Sequence, residues 1–321
     1  MVNRCVSCAK SVRVWIVPAA LLIVAASITA LGQRPKGQES QTGTRTPTRS
    51  VIVTTEPNAI VWLDDVRRGV TDAAGRLALK DVSARSHTLR VRARGFAEKT
   101  LPLAASVDQV KVPLARTTDA AELAFQEAEE ARGLAKTDDE RRAAADLYRR
   151  ALKLRPRFPA ARVGLARVLL DLRQTDEALA EIARARRDRP VYPEASAVEG
   201  RILRAMADPK GAVDAYQRAI REGRGFQPEA YAGLGILYEE EGKYEEAARA
   251  YRQSLAQLAD TEPIIYQKLG GVYEQLEKYK EAVEAYEKYL QLAPDGRMAP
   301  AIRSIIDQLK QQAGGRSGLP Y

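Results

Sequence analysis

The residue types that most often catalyse reactions or bind metals are scarce in this chain. Its two cysteines, Cys5 and Cys8, have a C-x-x-C spacing, which is typical of zinc sites and of redox-active thiols. A structural zinc site needs four ligands, however, and one such pair supplies only two. The single histidine, His87, lies far along the chain, so a site built from several histidines is excluded. The sequence therefore predicts no metal and no cofactor.

Motifs for nucleophilic catalysis or phosphate binding are also missing. The sequence contains no G-x-S-x-G nucleophile elbow. Glu241-Gly242-Lys243 matches the end of a phosphate-binding loop, but the earlier glycine of that motif is absent. The many carboxylates alternate with Lys and Arg along helical stretches, which is the pattern of solvated helix faces. We therefore predict a protein that is not an enzyme.

The N-terminal segment has the composition of a targeting sequence. Three basic residues within the first 13 precede residues 14–32, which carry no charge. This order favours a cytoplasmic N-terminus and an exported remainder. Ala30-Leu31-Gly32 fits cleavage before Gln33, but an uncharged run of this length can also span a bilayer. Residues 1–32 are thus either a signal peptide or a membrane anchor. The folded part is expected in the periplasm, free or anchored at the inner membrane.

The composition changes twice after this segment. Residues 33–50 are polar without an apolar period, which predicts a disordered linker. Residues 51–115 contain short alternating runs such as VIVTT, AIVWLDD and HTLRVRARG, separated by turn signals such as Ala74-Gly75. This alternation predicts a small antiparallel β-sandwich. Both cysteines lie near the N-terminus, so the exported part has no disulfide and depends on its hydrophobic cores.

The predicted β domain resembles a PEGA domain, an extracytoplasmic β module of bacterial envelope proteins. The resemblance lies in Val53-Thr54-Thr55-Glu56-Pro57-Asn58-Ala59, Val61-Trp62-Leu63-Asp64-Asp65, Gly69-Val70-Thr71, His87-Thr88-Leu89-Arg90-Val91 and Gly95-Phe96. Asn58 departs from the glycine that is usual in the naming motif. The resemblance implies an envelope location and contact with carbohydrate or protein, without a fixed ligand. Trp62 is then either a sugar-stacking platform or a half-buried packing residue, and His87 is interpreted as a structural histidine.

The second half of the chain contains an internal repeat. Pro159, Pro193, Pro228 and Pro263 begin similar units about 34 or 35 residues apart. Each unit has a small residue in its first half and another in its second half, where two helices would cross closely. These small residues are Ala166, Gly200, Gly235 and Gly270, followed by Ala178, Ala212, Ala247 and Ala282.

These spaced positions resemble the tetratricopeptide repeat, a pair of antiparallel helices of about 34 residues. An earlier, looser unit precedes Pro159. Its second helix fits the pattern, and Thr137 with Glu140 predicts a capping box at the start of that helix. Its first helix departs from the pattern, because Arg132 and Gly133 stand where a small pair is expected.

A final helix is predicted from Met298 to Gln312, where apolar residues recur at helical spacing. Such a helix covers the apolar end of a repeat array. The predicted fold is therefore multidomain. A PEGA-like β domain is followed over residues 118–313 by an all-α solenoid of about five helix pairs plus this capping helix, and residues 314–321 form a loose tail.

The resemblance implies that the first helices line a concave groove that binds a partner protein. The groove positions of the family fall on Val163, Arg167, Ala197, Arg201, Arg204, Ala232, Ile236, Glu239, Gln267 and Glu274. Within each helix these residues are mostly three or four apart, so they share one helix face. The partner is expected to present an extended peptide or a helix.

Charge is distributed unevenly along the array. Residues 141–190 contain 14 basic and 6 acidic side chains, whereas residues 228–294 contain 7 basic and 13 acidic ones. Such polarity orients a partner more than it adds affinity. We therefore expect an acidic part of the partner to meet Arg167, Arg201 and Arg204.

The function predicted from these features is a non-catalytic scaffold or adaptor for protein–protein interaction in the bacterial cell envelope. The alternative is an envelope scaffold whose PEGA-like domain binds cell-wall glycan. The net charge of +9 also suggests nucleic acid. Export and the lack of basic–aromatic interleaving disfavour nucleic-acid binding.

Overall fold

The computed structural model describes residues 48–64, 66–258 and 261–315. The predicted signal peptide or anchor, with Cys5 and Cys8, lies outside the described residues, as do most of the predicted linker and the last six residues. Within the described part of the chain, none of the helices has the length and apolar character needed to cross a membrane.

The described residues before the helices form two β-sheets around one core. The strands are β1 (Thr48–Thr54), β2 (Ile60–Leu63), β3 (Val66–Val70), β4 (Arg76–Ser83), β5 (His87–Arg92), β6 (Lys99–Leu103) and β7 (Gln109–Lys111). One sheet has the order β4-β1-β7, and the other has the order β3-β2-β5-β6. Val53 and Leu79 of the first sheet share a hydrophobic core with Val61 and Leu89 of the second. The predicted alternation thus corresponds to buried and exposed faces.

Three details of the β region differ from the prediction. β1 begins at Thr48, so the end of the predicted linker is a strand. β3 was not predicted, because its sequence VRRGV has two arginines and little apolar alternation. β7 pairs parallel to β1, with Ile52 opposite Gln109, whereas an all-antiparallel domain was predicted. The parallel pair arises because the chain changes sheets after β6 and returns along the free edge of β1.

The rest of the described chain is helical. The helices are α1 (Ala120–Leu134), α2 (Asp138–Leu154), α3 (Pro159–Asp171), α4 (Thr175–Asp188), α5 (Pro193–Ala205), α6 (Pro209–Glu222), α7 (Pro228–Glu240), α8 (Tyr244–Gln257), α9 (Pro263–Gln275), α10 (Tyr279–Leu292) and α11 (Ala299–Gly315). They pack as five consecutive pairs, and α11 packs against α10. Four first helices begin with the repeat prolines, since the first position of a helix needs no N–H donor. The helical part agrees with the predicted five pairs and final helix.

The capping box and the glycine–tyrosine contacts at the helix crossings explain why this sequence pattern forms helix pairs. The capping box of α2 is present: the Thr137 amide donates to Glu140 and the Glu140 amide donates to the Thr137 hydroxyl. Each crossing glycine faces the tyrosine ring of the second helix in its own unit, and an added Cβ would lie 2.5–2.7 Å from that ring. These pairs are Gly200 with Tyr216, Gly235 with Tyr251 and Gly270 with Tyr286.

Two helix predictions need correction. In α1 the fully buried small residue is Ala128, whereas an added Cβ at Gly133 would meet nothing within 4 Å. The turn between α1 and α2 is as long as the turns within the other units, but α1 has 15 residues where each of the other first helices has 13. α11 also continues to Gly315, which places the first two residues of the predicted loose tail in a helix.

The β region contacts the first helix through specific side chains. The Gln126 amide on α1 accepts a hydrogen bond from the Gly95 N–H (2.9 Å) and donates one to the Phe96 carbonyl (2.8 Å). Arg92 of β5 lies over the Phe125 ring, 4.6 Å from its centroid. Because both hydrogen bonds involve the backbone of one turn, they fix the position of that turn on α1.

Candidate protein-binding face

The ten predicted groove residues lie on α3, α5, α7 and α9, but two of them are inaccessible. Val163 and Ala197 are 1% and 0% exposed and belong to hydrophobic cores. They are buried because α5 packs directly against both α3 and α7, so these positions are packing residues rather than partner contacts. The other eight are half-buried, and we call them the first-helix face: Arg167, Arg201, Arg204, Ala232, Ile236, Glu239, Gln267 and Glu274.

The arginines of the first-helix face are paired within the array itself. Arg167 donates to both carboxylate oxygens of Glu229, at 2.9 and 2.7 Å, and approaches Glu194 at 3.4 Å. Arg201 also donates to Glu229, at 3.3 Å, and Arg204 pairs with Glu240 at 2.9 Å. We expected all three arginines to meet an acidic partner. This expectation is wrong for Arg167, because both of its terminal nitrogens already donate to the Glu229 carboxylate.

Charge coupling makes the Arg167–Glu229 pair permanent at ordinary pH. Burial alone would raise the pKa of Glu229, but the charge and hydrogen bonds of Arg167 outweigh burial and lower that pKa to about 2. Burial works in the opposite direction for Arg167, where Glu229 raises the pKa of the guanidinium above its usual value. Both groups stay ionised. The ion pair therefore links α3 to α7, which lie on either side of α5.

Sequence reasoning missed the residue that follows each repeat proline. Glu194 and Glu229 hold this place on α5 and α7, and their pairing with Arg167 puts them on the first-helix face. The same place on α9 is Ile264, which is 54% exposed. Its position directly after Pro263 was the signal that would have identified it.

Two buried tyrosines donate hydrogen bonds to carboxylates of this face. The Tyr251 hydroxyl donates to Glu239 at 2.7 Å, and Tyr286 donates in the same way to Glu274. Burial, followed by these hydrogen bonds, raises the pKa of both tyrosines. The hydroxyls therefore stay protonated and act as fixed donors.

The face on α7 and α9 combines apolar surface with these carboxylates. Ile236 is half-buried, and Ile264 is more exposed. Gly271 holds the same place in α9 that Ile236 holds in α7, and an added Cβ there would meet only the Tyr286 hydroxyl, at 3.7 Å. Lys268 pairs with Glu239 at 3.4 Å and balances part of the negative charge. This part of the face could accept both an apolar and a polar side chain.

A serine, a histidine and an aspartate lie together in the β region. His87 Nδ1 is 2.7 Å from Asp64 Oδ2, and its Nε2 is 3.0 Å from the Ser83 hydroxyl oxygen. Nε2 is equally close, at 3.0 Å, to the Ser83 carbonyl, which can only accept. Asp64 also accepts from the Thr88 amide, so the cluster holds the β4–β5 turn in place.

Two further observations concern the binding of a sugar at Trp62 and the binding of a metal ion. Trp62 is half-buried, and Arg90 and Arg92 lie 4.5 and 5.2 Å from its ring centroid. An indole face that stacks against arginine is not free to stack on a sugar. In the described ranges, no group of three or more His, Cys, Asp or Glu side chains is placed to hold a metal ion.

Comparisons with known proteins identify the helical repeats. Models of the tetratricopeptide repeat family match residues 138–202, 198–263 and 264–295. Residues 138–295 therefore consist of tetratricopeptide repeats, as the sequence pattern predicted. A comparison with curated proteins gives no match.

The chain is similar to several solved structures. A thermophilic TPR protein of Thermus thermophilus is 24% identical, with a TM-score of 0.50 over 60% of this chain and 100% of that one. PilF of Pseudomonas aeruginosa is 17% identical over 60% of this chain and 90% of that one, with a TM-score of 0.49. YrrB, described as a TPR protein with an unusual peptide-binding site, is 21% identical over 59% and 94%, with a TM-score of 0.40.

Proposed function

We infer that this chain, whose residues 138–295 are tetratricopeptide repeats, is a non-catalytic scaffold or adaptor that binds a partner protein in a concave groove. The observation that carries this proposal is the exposed Ile264 of α9, the helix that also carries Gln267 and Glu274 of the first-helix face. An extended peptide or a helix of the partner would cover this surface.

The energetics favour α7 and α9 as the main contact region. Fully burying an exposed isoleucine side chain contributes about 1.5–3 kcal/mol, so covering Ile264, which is 54% exposed, would contribute roughly half of that. The carboxylates of Glu239 and Glu274 are already oriented by tyrosine hydroxyls, so a partner would not have to order them. On α3 and α5, by contrast, Arg167 is held by Glu229 and contributes little to a partner.

We also propose that this scaffold works in the bacterial cell envelope. The support comes from the sequence: residues 1–32 have the pattern of an export signal or anchor, and the β region resembles a PEGA domain. Along the chain, the β region then lies between that segment and the repeats.

Affinity capture from native membranes with the full-length chain tests the proposal. Ile264→Asp places a charge on the first-helix face, and we expect it to abolish capture of the partner. Leu154→Asp is the matched control, because Leu154 is a similarly exposed apolar residue (52%) at the end of the second helix α2. Equal capture by both variants would show that the partner binds elsewhere.

A further inference from the structure

The sheet with the order β4-β1-β7 has one side that faces solvent. Val51 and Val53 of β1 are fully buried in the core between the two sheets, so the residues that alternate with them point away from that core. Leu79 of β4 is buried in the same core. The residues on the opposite side, which we call the outer sheet face, are Ile52, Thr54, Arg76, Ala78, Lys80, Gln109 and Lys111.

The charges on the outer sheet face are all positive. Arg76, Lys80 and Lys111 are exposed, and within the described ranges their side chains have no hydrogen bond or ion pair. Thr54 lies opposite both Arg76 and Lys111 in the strand register. These two basic residues therefore lie on either side of the central strand, with their Cα atoms about 10 Å apart.

Carboxylates next to these strands have other partners. Asp72 accepts hydrogen bonds from two backbone amides of the turn before β4. Asp108, just before β7, pairs with Arg49 at 3.1 Å. Burial lowers the pKa of Arg68 on β3, and the charge of Asp81 opposes this effect. The positive charge of the outer sheet face is therefore available to a ligand.

The repeats contact the β region through its other sheet. Arg92 of β5 lies over the Phe125 ring, and the turn after β5, at Gly95 and Phe96, is hydrogen-bonded to Gln126. β5 belongs to the sheet β3-β2-β5-β6. The outer sheet face therefore lies on the side of the β region away from these contacts.

The chain enters the β region through β1, the central strand of the outer sheet face. β1 begins at Thr48, and residues 33–47 connect it to the uncharged residues 14–32. A connection of this length reaches at most about 50 Å. If residues 14–32 stay in a membrane, the outer sheet face is held within that distance of its surface. The connecting residues carry three basic side chains and one acidic one, so they add to the positive charge.

We propose that the outer sheet face binds the surface of a membrane that contains anionic phospholipids. This inference rests on the envelope location proposed above, and it adds a second binding surface to the one on the first helices. Each basic side chain close to such a surface strengthens binding about fivefold. The connection to the membrane raises the effective concentration of the lipids, so a face with three basic residues binds despite its small charge.

Fluorescence quenching with the full-length chain and lipid vesicles tests this proposal. A fluorescent amino acid replaces the exposed Ala78, which lies opposite Ile52 on the outer sheet face, and the vesicles contain a lipid with a spin-labelled headgroup as quencher. We expect strong quenching with vesicles of phosphatidylcholine and phosphatidylglycerol, and weak quenching with phosphatidylcholine alone. High salt should reverse the quenching, because it screens exposed charges.

Two triple variants assign the effect to the outer sheet face. The first removes its three charges through Arg76→Gln, Lys80→Gln and Lys111→Gln. It should lower the ratio of docked to undocked chains about a hundredfold, which is about fivefold for each charge. The control removes three exposed charges from second helices through Arg187→Gln, Arg221→Gln and Arg252→Gln, and it should leave quenching unchanged.

The outcomes separate this inference from the binding of a partner protein. Equal quenching with and without phosphatidylglycerol would overturn membrane binding by the outer sheet face, and so would equal losses in the two triple variants. Neither result bears on the first-helix face, which is tested by partner capture with Ile264→Asp. Capture that Ile264→Asp does not affect, together with quenching that depends on phosphatidylglycerol and on the outer sheet face, would overturn the groove alone.

Discussion

The tyrosine at one position of the repeat can pack against a glycine through its ring and donate a hydrogen bond through its hydroxyl. Tyr216, Tyr251 and Tyr286 all pack against the crossing glycine of their own unit. Tyr251 and Tyr286 also satisfy a carboxylate on the first-helix face, whereas the Tyr216 hydroxyl has no acceptor among the described residues. The ring is therefore structural in each unit, and the hydroxyl distinguishes the third unit from the others.

Removing single hydroxyls should separate these roles. Tyr251→Phe removes the tyrosine donor of the Glu239 carboxylate and should lower the free energy of unfolding by about 1 kcal/mol. Tyr216→Phe removes a hydroxyl that faces the Arg204 guanidinium and has no carboxylate acceptor, so it should lower stability less than Tyr251→Phe does. Urea denaturation of the two variants measures the difference. Equal losses would contradict this difference between the two hydroxyls.

The Glu229 carboxylate should make stability depend on pH. Its pKa is about 2 in the folded chain, below the ordinary value of 4.5, because Arg167 outweighs the effect of burial. A lowered carboxylate pKa adds stability above the unfolded value, and that stability is lost as the pH falls from about 4.5 to about 2.

Glu229→Gln is the variant that tests this dependence. At neutral pH it should be less stable than the wild type by about 2 kcal/mol, because it breaks a half-buried ion pair. Thermal unfolding between pH 6 and pH 2 should show this difference shrinking toward zero at the acid end. A difference that stays constant with pH would contradict the lowered pKa.

At the scale of helices, glycines mark where neighbouring elements approach closely. Gly233 on α7 faces the Tyr216 ring so closely that an added Cβ would overlap it. Gly133, near the end of α1, has nothing within 4 Å of an added Cβ. The two positions are both helical, so they form a matched pair for substitution.

Alanine at these two glycines should have opposite effects. Gly133→Ala should stabilise the fold by about 0.5 kcal/mol, since alanine restricts the unfolded chain and favours a helix. Gly233→Ala should destabilise it by about 1–3 kcal/mol, because the Tyr216 ring would have to shift within a packed core. Urea midpoints of both variants provide the measurement. A stabilising Gly233→Ala would show that α5 and α7 are further apart than described.

The helices were predictable because their signals are local and repeated. Pro159, Pro193, Pro228 and Pro263 mark helix starts, and the capping box of Thr137 and Glu140 depends on spacing alone. The parallel pairing of β7 with β1 was not predictable in this way, since it joins residues far apart in sequence.

The site was predictable only in part, for a similar reason. Family positions put Glu239 and Glu274 on one face, but the burial of Val163 and Ala197 depends on how closely neighbouring first helices pack. The pairing of Arg167 with Glu229 also joins residues two units apart, and no spacing rule within a single unit reveals it.

For the whole molecule, the β region and the repeats are in contact at more than one place. Gln126 of α1 binds the turn at Gly95 and Phe96, and Arg85 lies 6.0 Å from the Phe226 ring centroid, just before α7. Contacts at both places would restrict rotation of the β region on the array. The orientation of the array relative to the β region would then be defined.

Gln126→Leu tests this connection. The substitution keeps the size of the side chain but removes both hydrogen bonds to the turn, so the Gly95 amide loses its acceptor. We expect faster hydrogen exchange at Gly95 and its neighbours, with unchanged exchange in α9 and α10. Unchanged exchange at Gly95 would show that Gln126 does not hold the turn.

The central claim, that a partner protein lies on the first-helix face, is tested most directly by site-specific photocrosslinking in native membranes. A photoreactive residue would replace Ile264 on this face, and in a second variant Leu154, which is exposed to a similar extent. Our account predicts a crosslinked partner from position 264 and none from position 154. The same partner crosslinked from position 154 alone would contradict it.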